Sequence, residues 1–322
     1  MSRQTASWKN TLAWFSFPGT MAVYIAAALY CIHGDFAPEV WVPLLAATHF
    51  FVLVALEQLI PRNPAYNLFR DRQSLNDLVL NTLNGAIRPL MAALVAVLVA
   101  RLAEWRAVGD LSVLWPTQWP FWLQCTLAIF TAALMDYVVH RAGHSFTRLW
   151  WFHSLHHSAT QMHILKGGRI HFIDEILHDL ATPLPFLLFG APPEVVLFSG
   201  MWGVYTGNLS HTNVDQRFPD WAHYILPTVH LHNLHHCVDR RFQDSNYSGT
   251  LPFWDILFGT FNHPRAYAGD TALVPMGMQD EYVSDGLLRQ FYQPILWQWR
   301  PPVAMAREEA PLPNEGMKPG GP

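Results

Sequence analysis

Apolar segments with few or no charged residues divide the first half of the chain. Four of them cover residues 11–32, 40–60, 89–102 and 121–139, and the first carries no charged side chain. A helix needs about 20 mostly apolar residues to cross the hydrocarbon core of a bilayer. The pattern therefore predicts four transmembrane helices, with the third entering the membrane before residue 89. Residues 73–84 mix polar and apolar positions at helical spacing and predict a short amphipathic helix at the membrane surface.

A fifth apolar stretch, residues 181–206, is interrupted by the sequence GAPPE. Each half is too short to cross a bilayer alone, so the stretch predicts a re-entrant hairpin that returns to the same side. Residues 301–322 are rich in proline and polar side chains and predict a disordered tail. Residues 1–300 show no internal repeat and are expected to form a single domain. The predicted fold is an all-α integral membrane helical bundle with a histidine-rich helical cap.

Basic residues flank these segments unevenly. Lysine and arginine are frequent before the first predicted span, between the second and third, and after the fourth, whereas the loop between the third and fourth offers mainly Arg106. Because cytoplasmic loops carry the excess of lysine and arginine, the cap is predicted to be cytoplasmic. The compact length and the lack of an appended cytochrome domain are typical of a bacterial protein, for which the membrane would be the inner one.

The composition fits this membrane assignment. Hydrophobic residues make up 51% of the chain and charged residues 14%, against about 25% charged in typical soluble domains. The formal net charge of -4 argues against a nucleic-acid partner, because phosphate binding requires a basic face. The three cysteines have no CxxC spacing, so they predict neither a disulfide framework nor a thiolate zinc site.

Histidines are concentrated after the fourth predicted span. Of 17 in the sequence, 14 lie between His140 and His236. His140 and His144 have i, i+4 spacing, and two HxxHH sequences begin at His153 and His232. Side chains three or four residues apart share a helix face, so each group is predicted to act as a half-site that chelates a metal ion. Eight or more imidazoles exceed the coordination shell of one ion, so two ions are expected.

Ligand chemistry alone leaves the metal open, because imidazole suits iron, zinc, copper and nickel. A zinc-dependent membrane hydrolase would need fewer ligands and usually a glutamate beside a histidine pair, as in HExxH, which the sequence lacks. A non-enzymatic metal-binding or transport protein would distribute ionisable residues inside several spans. Here the spans are nearly without charge, which favours an enzyme whose site lies beyond their ends.

Several motifs resemble those of the fatty acid hydroxylase superfamily, in particular its sterol desaturase-like branch. They are ALEQLIPRNP, MDYVVHRAGHSFTRLWWFHSLHHSA, SHTNVD and PTVHLHNLHHCVDRRFQDSNYSGTLPFWDILFGTF, within residues 50–262. The resemblance implies a membrane enzyme with a non-haem di-iron centre, that is, two iron ions. Such a centre activates O2 to attack an unactivated C–H bond of a lipid, giving a hydroxyl group or a double bond. The sequence distinguishes neither hydroxylation from desaturation nor one lipid class from another.

The resemblance also assigns metal ligands. The histidines of the three boxes, with that of SHTNVD as the ninth, are His140, His144, His153, His156, His157, His211, His232, His235 and His236. His230 is expected to have a structural role. His171 is a candidate ligand or near-ligand, although Phe172 replaces the proline common at that place in the family. Asp136, the candidate catalytic residue besides the ligands, resembles an acidic residue of the family, and its spacing predicts that it accepts the N–H of His140.

The resemblance implies three further participants, which are a lipid substrate, O2 and a source of two electrons. The chain has no Gly-rich nucleotide fingerprint, CxxCH haem motif or cysteine cluster. The electrons are therefore expected from a separate donor of the ferredoxin or cytochrome type. Candidate charges for docking such a donor at the cytoplasmic face are Arg141, Arg148, Arg240 and Arg241.

Overall fold

Long helices dominate the computed structural model, which describes residues 3–109, 114–279 and 283–300. The four longest are α1 (Arg3–His33), α2 (Pro38–Leu59), α3 (Ser74–Gly109) and α4 (Phe121–Ser145). Each contains a segment long and apolar enough to cross a membrane. The part of the chain that the structure describes contains no strand. The prediction of an all-α bundle with four membrane-spanning helices is confirmed, whereas the predicted tail at 301–322 lies outside the described residues.

The third span differs from the prediction in its start. The surface helix expected at 73–84 and the span expected at 89–102 form one continuous helix, α3, of 36 residues. Pro89 lies inside this helix without ending it, because membrane helices tolerate proline where neighbouring groups satisfy the backbone. Arg88 is accommodated within the same helix, since its guanidinium pairs with Glu175. The prediction of a separate surface helix is therefore wrong.

A hairpin of two unequal helices follows the histidine-rich region. The hairpin consists of α7 (Leu184–Phe189) and α8 (Pro193–Ser210). It follows α5 (Thr147–His157) and α6 (Phe172–Ala181) in the chain. Its turn contains Gly190 at φ 74°, a left-handed conformation that glycine adopts without strain. The backbone N–H of Trp115, in the connection between α3 and α4, donates to the Phe189 carbonyl at 2.7 Å. The turn of the hairpin therefore lies at the end of the bundle where α3 connects to α4. α8 has 18 residues and is longer than the sequence indicated.

α8 forms the centre of the bundle. It packs against α1, α2 and α4, and its residues Tyr205 and Leu209 join Phe17, Tyr24 and Leu53 in the main apolar core. The cap lies where α3 begins and α4 and α8 end. It comprises α5, α6, α9 (Val229–His235), α10 (Arg240–Gln243), α11 (Phe253–Leu257) and α12 (Leu287–Trp297).

Candidate metal centre

Nine histidines with little solvent exposure form two clusters at the cap end of the bundle. One cluster comprises His140, His144, His153, His157 and His235, and the other comprises His156, His211, His232 and His236. Within each cluster the ligand nitrogens lie within 4.8 Å of one another. These are the nine histidines that the sequence predicts as metal ligands. The structure brings all of them together, as a five-histidine cluster and a four-histidine cluster.

Each HxxHH sequence contributes to both clusters. α5 provides His153 and His157 to the five-histidine cluster but His156 to the four-histidine cluster. The second HxxHH, at the end of α9, divides its histidines in the opposite sense, with His235 in the five-histidine cluster and His232 and His236 in the four-histidine cluster. At 3.6 residues per turn, adjacent side chains point about 100° apart, so neighbouring histidines face different clusters. The prediction that each group forms one half-site is therefore wrong for both HxxHH sequences, in which only the i, i+4 pair shares a cluster.

The Nε2 atoms of the imidazoles converge inside each cluster. Three Nε2 pairs in the five-histidine cluster lie 3.0–3.1 Å apart, and three in the four-histidine cluster lie 2.7–3.2 Å apart. Two imidazoles that bind one ion at about 2.0–2.1 Å and at right angles would have nitrogens about 3 Å apart. Spacing and donor type therefore fit one metal ion in each cluster. The clusters adjoin, because the rings of His157 and His236 stack with centroids 4.5 Å apart.

Burial keeps several of these imidazoles neutral. Removal from water lowers the pKa of His156, His157, His232 and His236 well below the ordinary value, and it lowers the pKa of His235 to about 3. A neutral imidazole has a lone pair available for a metal ion, whereas a protonated one has none. The clusters are therefore able to receive cations at neutral pH.

Hydrogen bonds at the outer ring nitrogen, Nδ1, orient several of the imidazoles. Nδ1 of His153 contacts the Asp174 carboxylate at 2.8 Å, and Nδ1 of His144 contacts the Asp244 carboxylate at 3.1 Å. Backbone carbonyls accept from the Nδ1 atoms of three others, in the pairs His140–Tyr247, His235–Ser245 and His211–Gly207. Such contacts determine which nitrogen carries the proton and direct Nε2 toward the metal.

A buried carboxylate in α11 holds the loop that carries two of these acceptors. Asp255 accepts the backbone N–H groups of Tyr247 and Ser248 at 2.8 and 2.9 Å. Burial raises the pKa of Asp255 to about 6, although these hydrogen bonds act in the opposite direction. Sequence reasoning did not assign this role to Asp255, and its only signal was its place in the WDILFGT motif.

A second buried carboxylate connects α2 to the cap. Glu57 accepts the backbone N–H groups of Ile164 and Asn213 at 2.8 and 2.7 Å. Asn213 follows His211 by two residues, so Glu57 fixes the segment in which the ninth histidine lies. This role was also missed, and its signal was the ALEQLIPRNP motif.

Asp136 does not contact His140 as expected. Its carboxylate accepts the backbone N–H of Gly249 at 3.2 Å and lies 3.3 Å from Nδ1 of His178. His140 turns Nε2 toward its cluster, and its Nδ1 therefore meets the Tyr247 carbonyl instead. Burial alone would lower the pKa of His178, but the hydrogen bond to Asp136 and nearby carboxylates raise it to about 9. The Asp136–His178 pair thus places charge next to the cluster without orienting a ligand.

Two further candidate histidines lie outside both clusters. His171 precedes α6 as its N-cap residue, and its Nε2 faces the Phe291 carbonyl at 2.9 Å. The structure therefore does not bring His171 to the metal centre. His230 contacts the Arg62 guanidinium at 2.8 Å and the Gln216 carbonyl at 3.0 Å, which agrees with a structural role.

A cavity of about 530 Å³ lies beside the two clusters. Histidines of both clusters line one end of it, among them His140 and His211. Apolar residues of α4, α7 and α8 line the other end, among them Ile129, Phe186 and Val196. Small-molecule sites typically have volumes of about 300–1,000 Å³. The clusters therefore face a space large enough for part of a lipid.

Replacing Asp174 with asparagine should weaken metal retention about 10-fold to 100-fold, because an uncharged partner holds the His153 imidazole less firmly. Metal content after dialysis against graded concentrations of chelator measures the effect. Asp136→Asn is the matched control, since it alters a carboxylate on the same cavity without a hydrogen bond to a clustered histidine. Equal metal loss from both variants would contradict the orienting role of Asp174.

Comparison with known proteins identifies the family. The fatty acid hydroxylase family profile matches residues 125–260, which include all nine clustered histidines. The chain is 30% identical over 290 residues to ornithine lipid hydroxylase OlsE of Rhizobium tropici, covering 89% of this chain and 84% of that protein. The chain therefore belongs to the fatty acid hydroxylase family, and the resemblance noted in its sequence is confirmed.

Other relatives share a part of their length with this chain. Alkylglycerol monooxygenase of Xenopus tropicalis is 25% identical over 217 residues, covering 67% of this chain and 46% of that protein. The protein of the same name from Danio rerio is 27% identical over 204 residues, covering 62% of this chain and 43% of that protein. The chain thus spans less than half the length of these two relatives. No solved structure matches the chain. The relatives support an oxidoreductase that acts on lipids.

Proposed function

We propose that this protein is a membrane-bound di-iron oxygenase that uses O2 and two electrons to hydroxylate, or alternatively to desaturate, a C–H bond of a lipid. One observation carries the proposal, namely that nine histidines meet in two adjoining clusters beside a cavity with an apolar end. The relationship to an ornithine lipid hydroxylase supports hydroxylation over desaturation.

The five-histidine cluster would hold one iron ion and the four-histidine cluster the other. Bound iron would supply the activation of O2 that attack on an unactivated C–H bond requires. Asp174 and Asp244 orient His153 and His144 through Nδ1. The cavity walls hold the lipid chain beside the clusters and exclude water from the reacting carbon.

Hydroxylation consumes the C–H bond, one O2, two electrons and two protons. One oxygen atom enters the lipid as C–OH and the other leaves as water, whereas desaturation would also break a second C–H bond on the neighbouring carbon and release two waters. We assign the electrons to a separate donor protein of the ferredoxin or cytochrome type. Arg148 and Arg240 are exposed on the cap and suit its docking, whereas Arg141 and Arg241 are engaged by neighbouring side chains.

We further propose that the cap faces the cytoplasm from the inner membrane of a bacterium. The excess of lysine and arginine at the cap end of the predicted spans supports this orientation. The bacterial source of the ornithine lipid hydroxylase relative supports the choice of membrane. Reducing power in the cytoplasm would then be directly accessible to the docked donor.

Metal analysis tests the proposed function. The protein is purified in detergent without chelators from cells grown on ⁵⁷Fe, and its metal content and Mössbauer spectrum are measured. We expect about two irons per chain with a coupled diferric signal. His156→Ala combined with His157→Ala removes one imidazole from each cluster and should abolish that signal. His33→Ala, at an exposed position at the end of α1, should leave the spectrum unchanged.

The other outcomes identify the competing functions. Zinc without iron, in protein from iron-replete cells, would overturn the mechanism and favour a zinc-dependent membrane hydrolase. Bound iron with no oxidised lipid product, in the presence of O2 and a reducing system, would favour a non-enzymatic metal-binding protein. Lipid products are identified by mass spectrometry of the membrane extract.

A further inference from the structure

The cavity beside the clusters is polar at one end and apolar at the other. Near the histidines it contains the Asp136–His178 pair and the Arg88–Glu175 ion pair. Its other end, at the level of α7, is formed by apolar side chains such as Phe186. A lipid places its polar part near charges and its chain against apolar walls, because burying polar groups without partners costs free energy. The cavity therefore orients a lipid with its methyl end pointing away from the clusters.

α8 runs along the cavity and provides a scale for its depth. Gly200, Gly207 and His211 all line the cavity, and His211 belongs to the four-histidine cluster. Gly200 precedes His211 by 11 residues. At 1.5 Å per helical residue, this separation corresponds to about 16 Å along the cavity. Gly200 thus lies about three helical turns below the metal centre.

Gly200 leaves the cavity open at this depth. A Cβ atom built on Gly200 meets no atom within 4 Å outside its own helix. A side chain at this position would therefore occupy the cavity instead of displacing protein atoms. Gly85 in α3 is exposed, as Gly200 is, and also has no atom within 4 Å of a built Cβ, but it does not line the cavity. Gly85 is therefore a matched control for substitutions at Gly200.

We propose that Gly200 sets how far the lipid chain inserts, so that the cavity selects the oxidised carbon by its distance from the methyl end. This inference rests on the proposed function. A chain that fills the apolar end has a fixed number of carbons between its methyl group and the C–H bond beside the clusters. A bulky side chain at position 200 shortens that space and moves the oxidised carbon toward the methyl end. The reaction itself is unchanged, with C–H, O2, two donor electrons and two protons giving C–OH and water.

Chain binding tests the depth of the cavity without the reaction. The intact protein in lipid nanodiscs binds a dansyl-labelled fatty acid, which is displaced by straight-chain fatty acids of increasing length. Affinity should rise with length until the cavity is filled, and in Gly200→Phe this rise should stop at a shorter chain. The longest chains should bind at least about tenfold more weakly, since excluding about two methylenes has that effect. The shortest chains should be unaffected, and Gly85→Phe should follow the unsubstituted protein.

Product analysis tests the selection of the carbon. With membrane lipids, O2 and a reducing system, the hydroxyl group made by Gly200→Phe should lie nearer the methyl end than that made by the unsubstituted protein. The inference would be overturned if Gly200→Phe kept the limiting chain length of the unsubstituted protein or if its affinity fell equally for all chain lengths. It would also be overturned if Gly85→Phe showed the same shift in limiting chain length. Mass spectrometry of fragmented products locates the hydroxyl group.

A smaller substitution keeps the test decisive if the phenylalanine variant does not fold. Gly200→Ala adds one methyl group to open space and should keep its iron content and unfolding temperature. Its length limit should shift in the same direction by a smaller amount, and no shift would contradict the inference. Absence of iron or of oxidised lipid in the unsubstituted protein would refute the proposed function, whereas the displacement assay would still report on Gly200.

Discussion

Replacing His232 with alanine should remove one of the two metal ions proposed above and lower lipid oxidation by at least about a thousandfold. His232 belongs to the four-histidine cluster, where its Nε2 lies 2.7 Å from that of His211 and 3.0 Å from that of His236. The substitution leaves three imidazoles in this cluster and opens a buried gap among them. Oxidation should fail because the two ions of such a centre act as a unit, so the ion that is retained cannot replace the one that is lost.

The five-histidine cluster should tolerate the same kind of change better. His144→Ala leaves four imidazoles, which is still a full tetrahedral set. Iron content should therefore fall less than in His232→Ala. It is measured by mass spectrometry of the metal, and lipid oxidation is measured on the same samples. His230→Ala alters a histidine of the same helix, α9, that lies outside both clusters, and it should retain both irons. Equal iron loss from His144→Ala and His232→Ala would contradict the division into clusters of five and four.

The nine clustered histidines were predictable because their signal is chemical and local. Imidazoles at i, i+4 and HxxHH spacing point to a common function before any tertiary structure is known. Their division between two clusters was not predictable in the same way. His156 and His157 are neighbours in sequence but belong to different clusters. That outcome depends on how α5 is rotated between α4 and α9, which is a property of packing.

The contacts that support the clusters were less predictable still. The i, i+4 spacing of Asp136 and His140 predicted a hydrogen bond that does not form, because each side chain finds another partner outside α4. Glu57 and Asp255 bind backbone N–H groups, and backbone groups carry no residue-specific signal in a sequence. The continuity of α3 likewise depends on Arg88 meeting a partner from α6, far away along the chain.

Replacing Asp77 with asparagine should lower the free energy of unfolding by about 3–5 kcal/mol, the usual effect of breaking a buried ion pair. Asp77, near the start of α3, is fully buried and contacts Lys166 at 2.6 Å and Arg169 at 2.7 Å. Both cations are only 2% exposed. The substitution leaves Asp71, which contacts Lys166 at 2.6 Å, as the one remaining carboxylate of this network. Arg169 then loses its carboxylate partner, and the uncompensated buried charge favours unfolding.

This network also supports the metal centre. Lys166 and Arg169 flank Gly167, which packs against His211 so closely that a Cβ atom at this glycine would lie 3.3 Å from the imidazole. Loosening the segment should therefore loosen one side of the four-histidine cluster. We expect Asp77→Asn to release iron at a lower temperature than the unsubstituted protein, as measured by metal content after graded heating.

Charge balance can be separated from the loss of a particular side chain. Adding Lys166→Met to Asp77→Asn leaves one buried cation and one buried anion, so the double variant should recover part of the lost stability. Glu104→Gln removes an exposed carboxylate of α3 that pairs with Arg101 and should change the unfolding temperature little. Scanning fluorimetry in one detergent, at one scan rate, compares all four proteins. A double variant less stable than Asp77→Asn would show that hydrogen bonds and packing of Lys166, and not its charge, stabilise this part of the cap.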